Sequence, residues 1–77
     1  MNEVIEILQS IKGDVDYATE KHLIDKGIFV SFDIIQVVTE CEDHFDIEIP
    51  AEEIVPQNFQ SAEAIWNMIN GLIEGSK

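Results

Sequence analysis

Residues 31–46, SFDIIQVVTECEDHFD, carry two apolar strips at helical spacing, and one helix with two such faces constrains this chain most. Ile34, Val37, Val38, Cys41 and Phe45 recur at the i, i+3, i+4, i+7 intervals of a buried stripe. Phe32, Ile35 and Thr39, with Glu42 behind them, lie to one side of that stripe and cannot face the same core. Asp33, Gln36, Glu40 and Asp43 fill the remaining, solvated side. A helix of this kind packs with one face and offers the other. Ser31 stands where a loop turns into the helix. Serine is a favoured N-cap, and Asp33 in the first turn suits the helix dipole. The pattern predicts a helix from Ser31 to Asp46, capped by Ser31 with its side chain outward, in a segment closed by Pro50.

The remaining segments read as packing for that helix. Val4, Ile7, Leu8 and Ile11 form one stripe of a first helix over residues 2–12, with Asn2 as cap and Gly13 as stop. Residues 13–30 make a long connection that a small domain must pack down. Thr19 is placed to cap a short helical turn through Ile24, ended by Gly27, with Leu23, Ile24, Ile28 and Phe29 pinning the loop to the core. After Pro50, residues 51–54 form a short turn of helix, with Ile54 and Val55 inward. Phe59 anchors the next loop. Ser61 caps a last helix in which Ala62, Ile65, Trp66, Ile69 and Ile73 keep helical spacing, with Asn70-Gly71 a candidate early stop. Glu74 to Lys77 reads as a frayed tail. The expected fold is a single all-α domain over residues 1–77. It is a small antiparallel four-helix bundle of three main helices plus a short third one, with a long first loop.

Sixteen acids face four lysines and no arginine, for a formal net charge of −12, and no lysine falls between Asp33 and Glu74. Such a field repels nucleic acid and anionic membrane and draws basic protein surfaces. It also stores self-repulsion, which makes the domain salt-sensitive. No apolar run reaches membrane-spanning length, and the N-terminus lacks the basic region of a secretory signal. One cysteine excludes an internal disulfide and fits a reducing, cytoplasmic setting.

Three chemical readings fail on residue type or spacing. Asp14, Asp16 and Asp25 imitate the ends of a calcium loop, but Ala18 and Thr19 stand where it needs an oxygen ligand and a glycine. Cys41 and His44, with His22 as the only other histidine, fall short of a four-ligand zinc site. Ser31 lacks an oriented base: His44 lies more than three turns along the same helix, and His22 in the preceding loop has no evident orienter apart from ordinary acids. No metal site and no catalytic residue are expected.

Ser31-Phe32-Asp33, the aliphatic helix behind it and Phe45-Asp46-Ile47-Glu48-Ile49-Pro50 resemble the acyl and peptidyl carrier protein family. In that family the serine of an Asp-Ser-Leu or Asp-Ser-Phe motif starts the second helix, and an acidic helix end and a Glu-Ile-Pro turn follow. Leu23, Gly27, Ile28, Phe29, Ser31 and Phe32 resemble the D-alanyl and stand-alone amino-acid carrier branch, which favours Gly-Leu-Leu-Asp-Ser-Phe. The similarity spans nearly the whole chain. One position departs: Val30 replaces the acid before the serine, a carboxylate by which the modifying transferase recognises its target.

The resemblance implies a non-enzymatic carrier, with 4′-phosphopantetheine attached covalently to Ser31 and an acyl or aminoacyl cargo held on it as a thioester. It implies as partners a phosphopantetheinyl transferase, an adenylating or acyl-loading ligase, and a downstream acyl transferase or synthase. A monomer is expected. The outer strip supplies the docking patch: Ile28, Phe32, Ile35 and Thr39, rimmed by Asp33, Gln36, Glu40 and Glu42. An apolar centre with a charged rim is the usual anatomy of such a surface. Two alternatives stand beside this reading: a binding-only domain that keeps the fold without the arm, which Val30 favours, and an acidic interaction adaptor.

Overall fold

The computed structural model describes residues 2–75 and contains three α-helices: α1 (Asn2–Ile11), α2 (Ser31–Phe45) and α3 (Ala62–Gly75). Each buries part of the stripe its sequence lays out: Ile11, Ile34, Val38, Phe45 and Trp66 are only partly buried, and Ile73, expected inward, is exposed. Val4, Ile7 and Leu8 of α1 are buried, as are Val37 and Cys41 of α2 and Ala62, Ile65, Met68 and Ile69 of α3. These join Tyr17, Leu23, Phe29, Ile49 and Phe59 in one core. Burial of such side chains is the main driving term in a chain this short.

α1 and α2 run antiparallel, because polar contacts tie their opposite ends. Lys12, just past the end of α1, reaches Asp33 in the first turn of α2 at 3.2 Å. Glu3, in the first turn of α1, lies 3.2 Å from His44 in the last turn of α2. The expected all-α bundle forms, with one difference. The short third helix is two separate 3-10 turns, Ala51–Glu53 and Pro56–Asn58. Asn58 Nδ2 donates to the Glu53 carbonyl at 2.7 Å and holds the two turns together. Ile54 between them is exposed, contrary to its expected inward orientation, while Phe59 is fully buried.

The cap positions differ in instructive ways. Ser61 caps α3 as expected, its Oγ accepting from the Ala64 N–H at 3.0 Å. Asn2, the expected cap of α1, is itself helical. Asn70-Gly71 does not stop α3, which continues to Gly75, because Ile69 and Leu72 hold both sides of that pair against the core. Of the tail expected to fray from Glu74 to Lys77, Glu74 and Gly75 are helical, and Ser76 and Lys77 lie outside the described residues.

Residues 12–30 contain no helix, and Thr19 caps none; its hydroxyl turns back to the Asp16 carbonyl at 3.4 Å. The loop is held from a distance by Gln60. The Gln60 carbonyl accepts from Leu23 N–H at 2.9 Å, and its side-chain oxygen accepts from the Ile24 and Asp25 N–H groups at 3.0 and 3.2 Å. Gln60→Ala strands the part-buried Ile24 donor, and we expect it to lower unfolding stability by about 1–2 kcal/mol, measured by chemical denaturation. Tyr17 clamps the other end of the loop. Its hydroxyl donates toward the Lys12 and Leu8 carbonyls at the end of α1, and burial pushes its pKa up to about 12, aided by Asp14 and Asp33. Gly27, at φ 72°, makes the left-handed turn that returns the chain to the core at Ile28 and Phe29.

Candidate functional site

Ser31 is the first helical residue of α2, and the cap is Val30, at φ −113° and ψ 179°. The expectation that Ser31 caps the helix is corrected by one residue. Asp33 explains the shift: its Oδ2 accepts from the Val30 N–H at 3.1 Å and so caps the helix from inside. Valine has no acceptor to return the bond, so only half of the reciprocal capping box forms. Ser31 is therefore exposed, and among the described residues its hydroxyl is engaged by none.

The surroundings of Ser31 are apolar and open. Val30, Phe32 and Ile35 are 56%, 67% and 62% exposed, unusual values for such side chains. Phe32, Ile35, Thr39 and Glu42 follow at intervals of three, four and three, so they form one stripe, and Gln36 lies beside it. Gln36 and Thr39 are exposed. The Thr39 hydroxyl is directed back to the Ile35 carbonyl at 3.0 Å, which leaves the strip weakly polar at that point. Ile28 is half-buried and packs on the core, so it contributes an edge.

Two expected rim residues are placed otherwise. Asp33 is buried, not solvated, because the same Oδ2 that caps Val30 also meets Lys12 Nζ at 3.2 Å. It is not available as a surface charge. Glu42 is half-buried, and its Oε2 accepts from the Ile49 N–H at 2.9 Å, fastening the segment after the helix back onto it. The α2 helix itself ends at Asp46 in the left-handed region, with the Asp46 N–H returning to the Glu42 carbonyl. Glu42 thus holds structure as well as charge, and its reversal changes both.

Among the described residues neither histidine bonds the Ser31 hydroxyl. His22 Nδ1 lies 3.6 Å from Asp25, and His44 is held by Glu3 at the far end of α2. Cys41 is fully buried, and burial, with Glu40 nearby, pushes its thiol up to about 12. It remains a neutral core group at ordinary pH. Among the described residues no three or more His, Cys, Asp or Glu side chains converge as a metal site would require. Nor is any described helix long and apolar enough to cross a membrane.

Neither Tyr17, Gln60 nor the Lys12–Asp33 pair is visible in the sequence pattern. Each is a contact between elements far apart in the chain, and periodicity reports only on single elements.

No family model matches the chain, and no solved structure matches it. Curated relatives do. A D-alanyl carrier protein of Streptococcus mutans is 31% identical over 75 residues, covering 96% of this chain and 86% of the relative. Aminoacyl carrier protein 1 of Bradyrhizobium diazoefficiens is 32% identical over 72 residues, covering 88% and 79%. Aminoacyl carrier protein 2 of the same organism is 34% identical over 77 residues, covering 99% and 85%. With an exposed serine at a helix start, an open apolar strip beside it and relatives matched along almost its full length, the chain belongs to the family of D-alanyl and aminoacyl carrier proteins, and it is a carrier, not an enzyme.

Proposed function

We propose that Ser31 is the attachment point of a 4′-phosphopantetheine arm, and that the protein holds an aminoacyl or acyl cargo and presents it to partner enzymes. The observation that carries this reading is the Ser31 hydroxyl itself: exposed, unbonded and flanked by side chains that leave it open. The residues present fit such a group. Ser31 Oγ attacks the phosphorus of coenzyme A that bears the pantetheine, the bond to 3′,5′-adenosine bisphosphate breaks, and the hydroxyl proton passes to a base of the transferase. A base within this chain is not needed. Once attached, the arm supplies a thiol on which cargo is carried as a thioester.

Val30, Phe32, Ile35, Gln36 and Thr39 form the docking face for the phosphopantetheinyl transferase, the adenylating ligase and a downstream acyl transferase or synthase. Ile28 lies at its edge, and Glu42 contributes charge at the far end. The relatives' names favour an amino acid as cargo. The protein works as a monomer in the cytoplasm.

Val30 supports a second reading, a binding-only domain, because the residue before Ser31 offers a transferase no charge. The test is incubation with coenzyme A and a broad-specificity transferase, followed by intact mass. Wild type gains one arm slowly, and Val30→Asp gains it several-fold faster. Val30→Ser, which caps the helix without charge, stays near the wild-type rate. If excess of several transferases leaves both wild type and Val30→Asp at their bare masses, the binding-only reading replaces the carrier.

A further inference from the structure

We infer that the Lys12–Asp33 ion pair is the positioning element for Ser31: it selects the helix register in which the serine hydroxyl is free. This rests on the proposal that Ser31 carries the arm, and it adds the residues that make the serine available.

Two registers compete at the start of α2. Serine is a far better N-cap than valine, so local preference puts the cap at Ser31. There its Oγ would turn back to accept a first-turn N–H, and the hydroxyl would be engaged by its own helix. In the register observed, Val30 is the cap, Ser31 is already helical, and Ile34 N–H bonds the Val30 carbonyl at 3.0 Å. Something must outweigh the better cap. Asp33 does so, because the third helical residue is where a side chain reaches back to the cap N–H. In the slipped register that position falls to Ile34, which has no acceptor.

Asp33 is itself held by α1. It is the one buried acid among the described residues, and a buried carboxylate persists only when paired and hydrogen-bonded. Lys12 Nζ meets it at 3.2 Å and also sits 6.0 Å from the centre of the Phe29 ring. Lys12 therefore touches the chain on both sides of Ser31. Its own backbone is fixed by the Tyr17 hydroxyl, and the Tyr17 ring meets Phe29 edge-on at 6.1 Å. The start of α2 is thus registered against α1 and the first loop.

Asp33 and Lys12 act through Ser31, so they are positioning residues, and their loss is read in two ways. In the full-length labelled chain, the carbon-13 shifts of Ser31 Cα and Cβ report its backbone region directly. We expect helical values in wild type and Lys12→Arg, and movement toward extended values in Asp33→Ala and Lys12→Met. In arm addition from coenzyme A, Asp33→Ala lowers kcat by about tenfold, as misorientation of a reacting group does, while KM stays unchanged. Lys12→Met lowers kcat less and Lys12→Arg restores it. Ile35→Ala does the opposite, raising KM at unchanged kcat. Lys12 is partly exposed, so Lys12→Met decides the matter if Asp33→Ala fails to fold. Wild-type Ser31 shifts and wild-type kcat in Lys12→Met would overturn the inference. A wild-type chain that no transferase modifies sinks the carrier reading instead, and the Ser31 shifts still decide the register.

Discussion

Phe59→Ala lowers the unfolding stability by about 3–5 kcal/mol, whereas Ile35→Ala changes it by well under about 1 kcal/mol. Both remove a large apolar side chain, so the contrast isolates burial. Phe59 is fully buried at the end of the second 3-10 turn, just before α3. Truncation there loses the transfer energy of the ring and leaves a cavity. A chain of 77 residues has roughly 4–11 kcal/mol of total stability, so the variant loses a large share of it. Val37, fully buried on the inner face of α2, behaves in the same direction with a smaller volume. Ile35 is 62% exposed one turn from Ser31, and its truncation exposes little new surface. Its cost appears in partner binding, as a raised KM for arm addition. Denaturant titration of the three variants beside transferase kinetics reads both effects. Destabilisation by Ile35→Ala comparable with Val37→Ala would make the outer strip core and move the docking face elsewhere.

The two faces of α2 were legible because they depend only on spacing within one helix. Val37 and Cys41 are buried, Phe32 and Ile35 are exposed, and the stripe separates them as the intervals require. Asp33 was misplaced on the solvated side for an equally clear reason. Periodicity assigns an aspartate to water unless a partner is known, and Lys12 arrives from just past the end of α1, 21 residues away. The same blindness moved the cap from Val30 to Ser31, since cap preference is local and the force that overrides it is not. Local cap preference predicts a helical turn at Thr19. The loop is instead organised by Gln60, which has no signature in a window around residues 13–30. Glu42 looked like rim charge because its helical position is correct for one, and only the returning chain at Ile49 reveals its second task.

Ser31→Ala has the largest expected effect of all, the complete loss of carrying with the fold intact. Ser31 is exposed and its hydroxyl holds nothing in place. Alanine suits the first helical position, so stability should change by well under about 1 kcal/mol. The fully buried, neutral Cys41 adds a convenience. It should be slow toward thiol reagents in the native protein, so a fast-reacting thiol reports the arm. The decisive measurement is the intact mass of wild type and Ser31→Ala purified from the cells that make the protein. The account predicts a wild-type mass raised by one phosphopantetheine, with one fast-reacting thiol, and a Ser31→Ala mass equal to the bare chain. A wild-type protein at its bare mass, with no fast-reacting thiol, would contradict it.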